Sequence, residues 1–432
     1  MKKNYTITPN PDKGFFNKER NLPEGANLIP NATALLFATQ AKNDGHEVIY
    51  SDYFNNQNEI LNQIEAENTE VVNLFLGYAN YANGLKLKEL LESKGINVVL
   101  NGIYNFVDGQ NYSDCSVLKE LGIGCQEPII DMDVKMNYGL CSLDELFSAQ
   151  KQQGRPRSLV LVSQYAGCPK SKNCLHCSSS KIQCIDGSTM KMTKAPAETM
   201  TEIAELKNKY DLDTVVLGDL MITSDRLRKL AEASEGLELP NLRISTAPNY
   251  ITEETIQYLK KMKCKEVFLG IESFNSELIK SLQKPFLLND IERAMQLLFD
   301  AEIKINASLM LGIEGENKTT LENTSGFIEH WKEKRIGEEP FLKLQTSLVT
   351  PIPGSQLYEE FKEKNGVNET LELLKQEDWI GALQKRYAEL FLEQDVIGDV
   401  AEHYAKLRKI SESSYGESHE TIPEIKREIK KR

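Results

Sequence analysis

The chain has 432 residues, of which 40% are hydrophobic and 27% are charged, and this length predicts two or three domains rather than one core. Its 64 acidic and 51 basic residues give a net charge of −13, which disfavours a large nucleic-acid footprint. No apolar run approaches the ~18 residues of a membrane helix, and the start "MKKNYTITPNPDKG" lacks the apolar stretch of a signal peptide. We therefore expect a cytoplasmic protein with no nucleic-acid partner and no membrane partner.

Short β-branched runs alternate with helical patterns in the first part of the chain. "NYTITP", "HEVIYSD", "EVVNLFLG" and "INVVLNG" predict strands, while "NATALLFATQAKNDG" and "NGLKLKELLESKG" predict helices that end at a glycine. Strands that alternate with helices indicate a parallel sheet covered on both faces. We predict a doubly wound, Rossmann-like domain over residues 1–135, with a ligand crevice at the carboxyl ends of its strands.

A second series of strands follows a linker at residues 136–157. Six apolar runs within residues 158–350 predict strands, at 158–164, 213–219, 242–248, 265–273, 303–312 and 341–350. Helical patterns fill the gaps, so the α/β repeat predicts a partial (β/α)6 barrel. Residues 351–432 are charged and predict a helical C-terminal region. Chemistry in parallel barrels lies at the carboxyl ends of the strands, where polar residues occur at Asp219, Ser245, Thr246, Glu272 and Glu314.

Three of the eight cysteines lie close together directly after the first barrel strand: Cys168, Cys174 and Cys177. A structural zinc site usually needs four ligands in two separated pairs, and this segment holds one pair and one further cysteine. A four-iron, four-sulfur cluster held by three thiolates keeps one iron open. We therefore favour an iron–sulfur cluster, with structural zinc and a chance grouping as alternatives.

These residues resemble the fingerprint of the radical S-adenosylmethionine (radical SAM) family, CxxxCxΦC, in which Φ is aromatic. The first spacing, from Cys168 to Cys174, is two residues longer than in the fingerprint, and His176 stands at the aromatic position before Cys177. "VFLGIESFNSELIKSLQK", "INASLMLGIEGENKTTLENTSGFI" and "TPIPGSQLY" are similar to further segments of the family, so the resemblance covers about residues 160–360.

The resemblance implies a [4Fe–4S] cluster on the three cysteines, and reductive cleavage of SAM to a 5′-deoxyadenosyl radical that abstracts hydrogen from a substrate. The electron would come from a donor such as flavodoxin or ferredoxin. By position, the amino group of SAM is expected at Asp219 and its ribose at Glu272. The full set of expected SAM-binding residues is His176, Asp219, Ser245, Thr246, Glu272, Gly312 and Ile313.

The preceding domain resembles the cobalamin-binding subfamily of these enzymes. "LIPNATALLFATQAKNDGHEVIYSD" and "VVNLFLGYANYANGLKLKELLESKGINVVLNG" carry that resemblance, although the DxHxxG cobalt-ligand loop of other cobalamin proteins is absent. Cobalamin would therefore bind without a histidine below the cobalt. The residues expected to line its site are Asn10, Gly77, Tyr78, Asn101 and Gly102.

Two reaction classes remain open. The first is a cobalamin-dependent C-methyltransferase. The second is an epimerase, a cyclase or a rearrangement enzyme in which cobalamin is absent or does not carry methyl groups, and in which Cys184 would return a hydrogen atom to the substrate radical. An iron–sulfur redox sensor is a non-enzymatic alternative, but it does not require the SAM-like strand motifs. The expected substrate is a small molecule or a peptide.

Overall fold

The structure is a computed structural model that describes residues 3–7, 16–17, 22–23, 32–51, 57–66, 69, 71–76, 81–102, 134–141, 143–152, 154–164, 174–177, 193–219, 221–376 and 379–415. The chain forms two compact units. The first comprises Met1–Ala166 and Ile182–Asp219, and the second comprises Gly167–Lys181 and Leu220–Arg432.

The first unit begins with a four-stranded parallel sheet. Its elements are β1 (Lys3–Ile7), β2 (Phe16–Asn17), β3 (Leu22–Pro23), α1 (Ala32–Asn43), β4 (Glu47–Ser51), α2 (Gln57–Ala66), β5 (Val71–Leu76), α3 (Tyr81–Ser93) and β6 (Asn97–Gly102). The strand order is β4-β1-β5-β6, while β2 and β3 form a separate antiparallel pair. Val72, Leu74 and Phe75 of β5 are fully buried, as the continuous apolar run predicted for a central strand.

This strand order confirms the doubly wound topology and identifies its switch point. The chain runs outward from β1 to β4 and then returns to β5 on the other side of β1, so the connections diverge at the carboxyl ends of β1 and β5. Ligands of doubly wound sheets bind at such a point. Asn101 and Gly102 end β6, in register with Phe75 and Leu76 of β5. Asn10, Gly77 and Tyr78 lie outside the described residues, so their predicted role stays a prediction.

The predicted linker is itself folded. It contains a 3₁₀ turn at Tyr138–Leu140 and the helix α4 (Leu143–Gln152). Tyr138 is buried, and its hydroxyl donates to the carbonyl of Val160. The backbone amide of Asn137 donates to the hydroxyl of Thr39 in α1. The segment therefore joins the sheet domain to the first barrel strand within one unit.

The first unit also contains two of the predicted barrel strands and the helix between them. These are β7 (Ser158–Leu161), α5 (Pro196–Tyr210) and β8 (Thr214–Leu217), and the two strands pair in parallel. A buried ion pair joins Lys194 to Glu202 of α5, and Glu202 also accepts the backbone amide of Met136 at 3.2 Å. These contacts hold α5 against the folded linker.

The second unit contains the other four barrel strands. Its elements up to the last of them are α6 (Ser224–Ala233), β9 (Asn241–Thr246), α7 (Glu253–Lys261), β10 (Cys264–Glu272), α8 (Ser276–Ser281), α9 (Leu288–Asp300), β11 (Lys304–Leu311), α10 (Lys318–Lys332), β12 (Arg335–Ile336), β13 (Glu339–Pro340) and β14 (Leu342–Leu348). The parallel order β14-β11-β10-β9 follows from the pairings of adjacent strands. All six strands predicted for the partial barrel are present.

The predicted C-terminal helical region is also present. It comprises α11 (Gln356–Asn365), α12 (Val367–Leu374), α13 (Trp379–Phe391) and α14 (Gln394–Tyr415). Helix α14 packs against β14, which is the last strand of the sheet in this unit, and so covers strand edges that would otherwise be exposed. Among the described residues, no helix has the length and apolar character needed to cross a membrane.

Candidate functional site

The turn that carries two of the three clustered cysteines is held by backbone hydrogen bonds. Within it, the amide of Cys177 donates to the carbonyl of Cys174 at 3.2 Å. On one side, the amide of Leu175 donates to the carbonyl of Leu282, directly after α8, at 3.2 Å. On the other side, the carbonyl of Leu175 accepts the amide of Leu357 at 2.9 Å. Both cysteines are partly buried thiols, so their position does not depend on a disulfide.

The segment "TPIPGSQLY" supplies one of these anchors. Ser355 is the N-cap of α11, and its buried hydroxyl accepts the amide of Tyr358 at 3.1 Å and donates to the carbonyl of Ile352 at 2.7 Å. A serine at this position satisfies a backbone donor that the first helical turn leaves unpaired. The cap orients the first turn of α11, from which Leu357 reaches the cysteine turn. The proline-bounded entry therefore helps to position the thiols.

Glu272 stands beside the cysteine turn at the centre of a buried polar group. Its Oε1 atom lies 2.8 Å from Nζ of Lys284 and 3.8 Å from Nε2 of His176. Its Oε2 atom accepts the hydroxyl of Ser308 at 2.8 Å. The side chains of Glu272 and Lys284 are only 6% and 8% exposed, so this is a buried ion pair. Buried charges of this kind are tolerated when they are paired and hydrogen-bonded.

The backbone of β10 is distorted to place this carboxylate. The register with β11 shifts between Gly270 and Glu272, and Glu272 has a φ of +66°. A bulge re-aims a side chain at the end of a strand, and left-handed backbone costs energy for any residue other than glycine. Gly270 leaves the necessary space, because a Cβ atom there would lie 3.2 Å from Oε1 of Glu272. In the sequence "GIE", the glycine thus leaves space for the carboxylate, and the glutamate itself adopts the strained, left-handed backbone.

The electrostatics of the group keep the histidine neutral and the pair charged. Burial, together with the charge of Lys284, lowers the pKa of His176 to about 4, against the opposing effect of Glu272. Burial also opposes ionisation of Glu272, but the charge of Lys284 and the hydrogen bonds from Lys284 and Ser308 outweigh it, so the pKa of Glu272 is lowered. The Nδ1 atom of His176 is buried and has no hydrogen-bond partner among the described residues. The neutral imidazole therefore retains an unused polar atom next to the thiols.

The turn after β11 is closed by its own carboxylate. Glu316 accepts the backbone amides of Gly312, at 2.5 Å, and Ile313. Gly312 has a φ of +85°, which glycine adopts without steric cost. Burial raises the pKa of Glu316 to about 7, although both amides favour the charged form. The backbone amides of Gly312 and Ile313 are thus engaged by Glu316, and the expected SAM contact of these two residues stays a prediction.

Asp219, in the first unit, is fully buried and has several donors. Its Oδ1 atom accepts the amides of Ser163 and Gln164 at 2.7 and 2.9 Å, and its Oδ2 atom accepts the hydroxyl of Ser163 at 2.6 Å. This geometry closes the end of β7 directly before the cysteine segment. A contact between Asp219 and the amino group of SAM stays a prediction.

Ser245 and Thr246 hold the loop that follows β8. The carbonyl of Ser245 accepts the amide of Ile222 at 2.9 Å, and the buried hydroxyl of Thr246 donates to the carbonyl of Ile222 at 2.6 Å. Their expected SAM contacts stay predictions. Cys168 and Cys184 lie outside the described residues.

Within the second unit, the structure brings together Cys174, His176, Cys177 and Glu272. Sequence reasoning missed two members of this group, Lys284 and Ser308. One signal for Ser308 was available: it is a polar residue that interrupts the apolar sequence of β11. The structure places it at a buried position, in register with Gly270 of β10. No local pattern distinguishes Lys284 from other lysines.

The fold and the site define an α/β protein with a doubly wound sheet, parallel barrel strands, and a cysteine turn beside a buried ion pair. Residues 162–328 match the family model described as the radical SAM superfamily. This match confirms the resemblance that the strand and cysteine motifs predicted for this part of the chain.

Solved structures show the same fold over most of the chain. TsrM, a radical SAM methyltransferase from Kitasatospora setae solved with cobalamin and a [4Fe–4S] cluster, is 14% identical with a TM-score of 0.59, over 85% of this chain and 76% of that one. OxsB, a cobalamin-dependent SAM radical enzyme solved with aqua-cobalamin and SAM, is 12% identical with a TM-score of 0.55, over 96% of this chain and 61% of that one.

Among curated proteins, the tRNA uridine(34) acetyltransferase of Methanocaldococcus jannaschii is 24% identical over 196 residues. That alignment covers 39% of this chain and 34% of the relative, so the chain matches about a third of the relative's length.

Proposed function

We propose that this protein is a radical SAM enzyme that binds a [4Fe–4S] cluster, SAM and cobalamin, and that it methylates a carbon atom of a small molecule or peptide. The observation that carries the proposal is the cysteine turn of Cys174 and Cys177, held by backbone hydrogen bonds beside the buried pair of Glu272 and Lys284. Thiols on a fixed turn near a buried cation suit an anionic iron–sulfur cluster.

In this proposal the cluster is held by Cys168, Cys174 and Cys177. When bound, the cluster supplies the electron that cleaves SAM to a 5′-deoxyadenosyl radical, and cobalamin supplies the carrier for the methyl group. The neutral imidazole of His176 would offer its unused Nδ1 atom to SAM. Glu272 keeps Lys284 and Ser308 in place within this buried group.

Cobalamin would bind at the carboxyl ends of the strands of the first unit. The strand order β4-β1-β5-β6 favours that edge. Asn10, Gly77, Tyr78, Asn101 and Gly102 would line it, with the glycines allowing the backbone to approach the corrin and Tyr78 covering its face. The lower nitrogen base would be detached from the cobalt. The fold shared with TsrM and OxsB supports this part of the proposal.

The test is anaerobic reconstitution with iron and sulfide, followed by a titration with hydroxocobalamin. We expect about one corrinoid per chain by absorbance, and formation of S-adenosylhomocysteine from SAM that requires both reductant and cobalamin. The Cys174→Ala variant should lose iron and 5′-deoxyadenosine formation, while Cys264→Ala, a buried thiol on β10, serves as the matched control. If 5′-deoxyadenosine forms without corrinoid uptake, methyl transfer is refuted and an epimerisation, cyclisation or rearrangement takes its place, with Cys184→Ala as the next variant.

A further inference from the structure

The buried lysine at position 284 has no role in the SAM-binding set expected from the sequence. Its Nζ atom lies 2.8 Å from Oε1 of Glu272, and its side chain is 8% exposed. It lies shortly after α8, two residues beyond Leu282, whose carbonyl accepts the amide of Leu175 in the cysteine turn. The same short segment therefore anchors the thiols and carries the cation.

The charge of Lys284 lies near the cysteine turn, because Oε1 of Glu272 is 2.8 Å from Nζ of Lys284 and 3.8 Å from Nε2 of His176, which lies between the two cysteines. Burial opposes protonation of the lysine, but the neighbouring acidic groups, with Glu272 the strongest, outweigh it, so the pKa of Lys284 is raised. The charge of Lys284 in turn favours the ionised form of Glu272. The pair is thus fixed beside the cysteine turn, with both charges buried. In a buried environment such an interaction is only weakly screened by salt.

We propose that Lys284 is a positioning residue that sets the reduction potential of the cluster, with Glu272 holding its ammonium group in place and partly offsetting its charge. The inference rests on the cluster of the proposed function, but not on cobalamin or on methyl transfer. Reduction adds one negative charge to the cluster, taken from an external one-electron reductant. A fixed cation beside the ligands stabilises that added charge, whereas a fixed anion destabilises it. The residues that surround a cluster tune its potential in this way.

The experiment is a redox titration of the reconstituted protein without SAM, with dithionite and mediators and with the reduced cluster followed by electron paramagnetic resonance. Lys284→Met should lower the equilibrium constant for reduction about tenfold, which is a shift of about 59 mV to more negative potential for a one-electron couple. Glu272→Gln should shift the potential in the opposite direction, because the lysine charge is then less offset. The Glu272→Gln/Lys284→Met double variant should lie between the two.

Lys280→Met is the matched control, since Lys280 is an exposed cation on α8, four residues earlier. In this control, the equilibrium constant for reduction of the cluster should stay within about twofold of that of the unchanged protein, because water and salt screen exposed charges. Lys284→Arg, which keeps the charge, should retain the potential to a similar extent.

An unchanged potential in Lys284→Met at full iron content would overturn the inference. So would a loss of SAM affinity in that variant without a shift of the SAM-free potential, because Lys284 would then be a SAM ligand. If Lys284→Met does not load iron, the sign of the Glu272→Gln shift decides: a rise supports the inference and no change refutes it. Failure of the unchanged protein to take up a cluster would instead refute the proposed function.

Discussion

The buried pair at the site makes a quantitative prediction about stability. In Glu272→Gln the ammonium of Lys284 stays buried without its counter-charge, with the two side chains 2.8 Å apart and less than a tenth exposed. Breaking a buried pair by removing one partner costs about 3–5 kcal/mol. Glutamine keeps a carbonyl oxygen that can accept from Lys284, so we expect a loss of about 3 kcal/mol. Ser308→Ala removes one hydrogen bond to the carboxylate and should cost about 1.5 kcal/mol.

The two tryptophans make the assay specific for the second unit. Trp331 in α10 and Trp379 in α13 are 5% and 2% exposed, and the sequence contains no other tryptophan. Urea unfolding followed by tryptophan fluorescence therefore reports on the unit that contains the pair. A loss of about 3 kcal/mol lowers the midpoint by about 1 M or more, given slopes of about 1–3 kcal/mol/M.

The control is an exposed ion pair in the same unit. Asp225 contacts Arg228 on α6 at 2.9 Å, with both side chains exposed. Asp225→Asn should leave the midpoint unchanged within error, because solvent screens exposed pairs. A midpoint for Glu272→Gln that coincides with the Asp225→Asn midpoint would refute the assignment of a buried, stabilising pair.

Three further predictions concern the thiols, the turn after β11 and the helix cap. Cys174→Ala and Cys177→Ala should each lose bound iron in a colorimetric assay, while Cys264→Ala should retain it, because burial raises the pKa of the Cys264 thiol to about 12 and keeps it protonated. Glu316 has a folded pKa of about 7 against 4.5 unfolded, so its stabilising protonation is complete below about pH 4.5 and lost as the pH rises through about 7. The free energy of unfolding, measured by urea titration, should differ by about 3 kcal/mol between pH 4.5 and pH 8 because of Glu316, and Glu316→Gln should remove this difference. The same dependence of unfolding free energy on pH in both proteins would contradict this. Ser355→Ala should lower stability by about 1 kcal/mol, and an unchanged urea midpoint would argue against the cap.

The sequence by itself determined the elements and the grouping of the thiols. Alternating and continuous apolar runs gave the six barrel strands and the first sheet, because side-chain period and burial are local properties of the chain. The three cysteines were recognisable because they lie within ten consecutive positions, and the motifs around Glu272 and Gly312 follow from strand ends that the pattern already places.

Only the tertiary structure decided what each polar group contacts. The carboxylate of Asp219 is engaged by Ser163, 56 residues earlier, and Glu272 accepts from Ser308, 36 residues later. Glu272 precedes α8 and Lys284 follows it, and neither helical nor strand periodicity predicts a contact between residues at this separation. A buried ion pair forms where folding removes water from both charges at once, and that depends on which distant segments enclose them. The partner of a lysine in a polar segment is therefore fixed by packing.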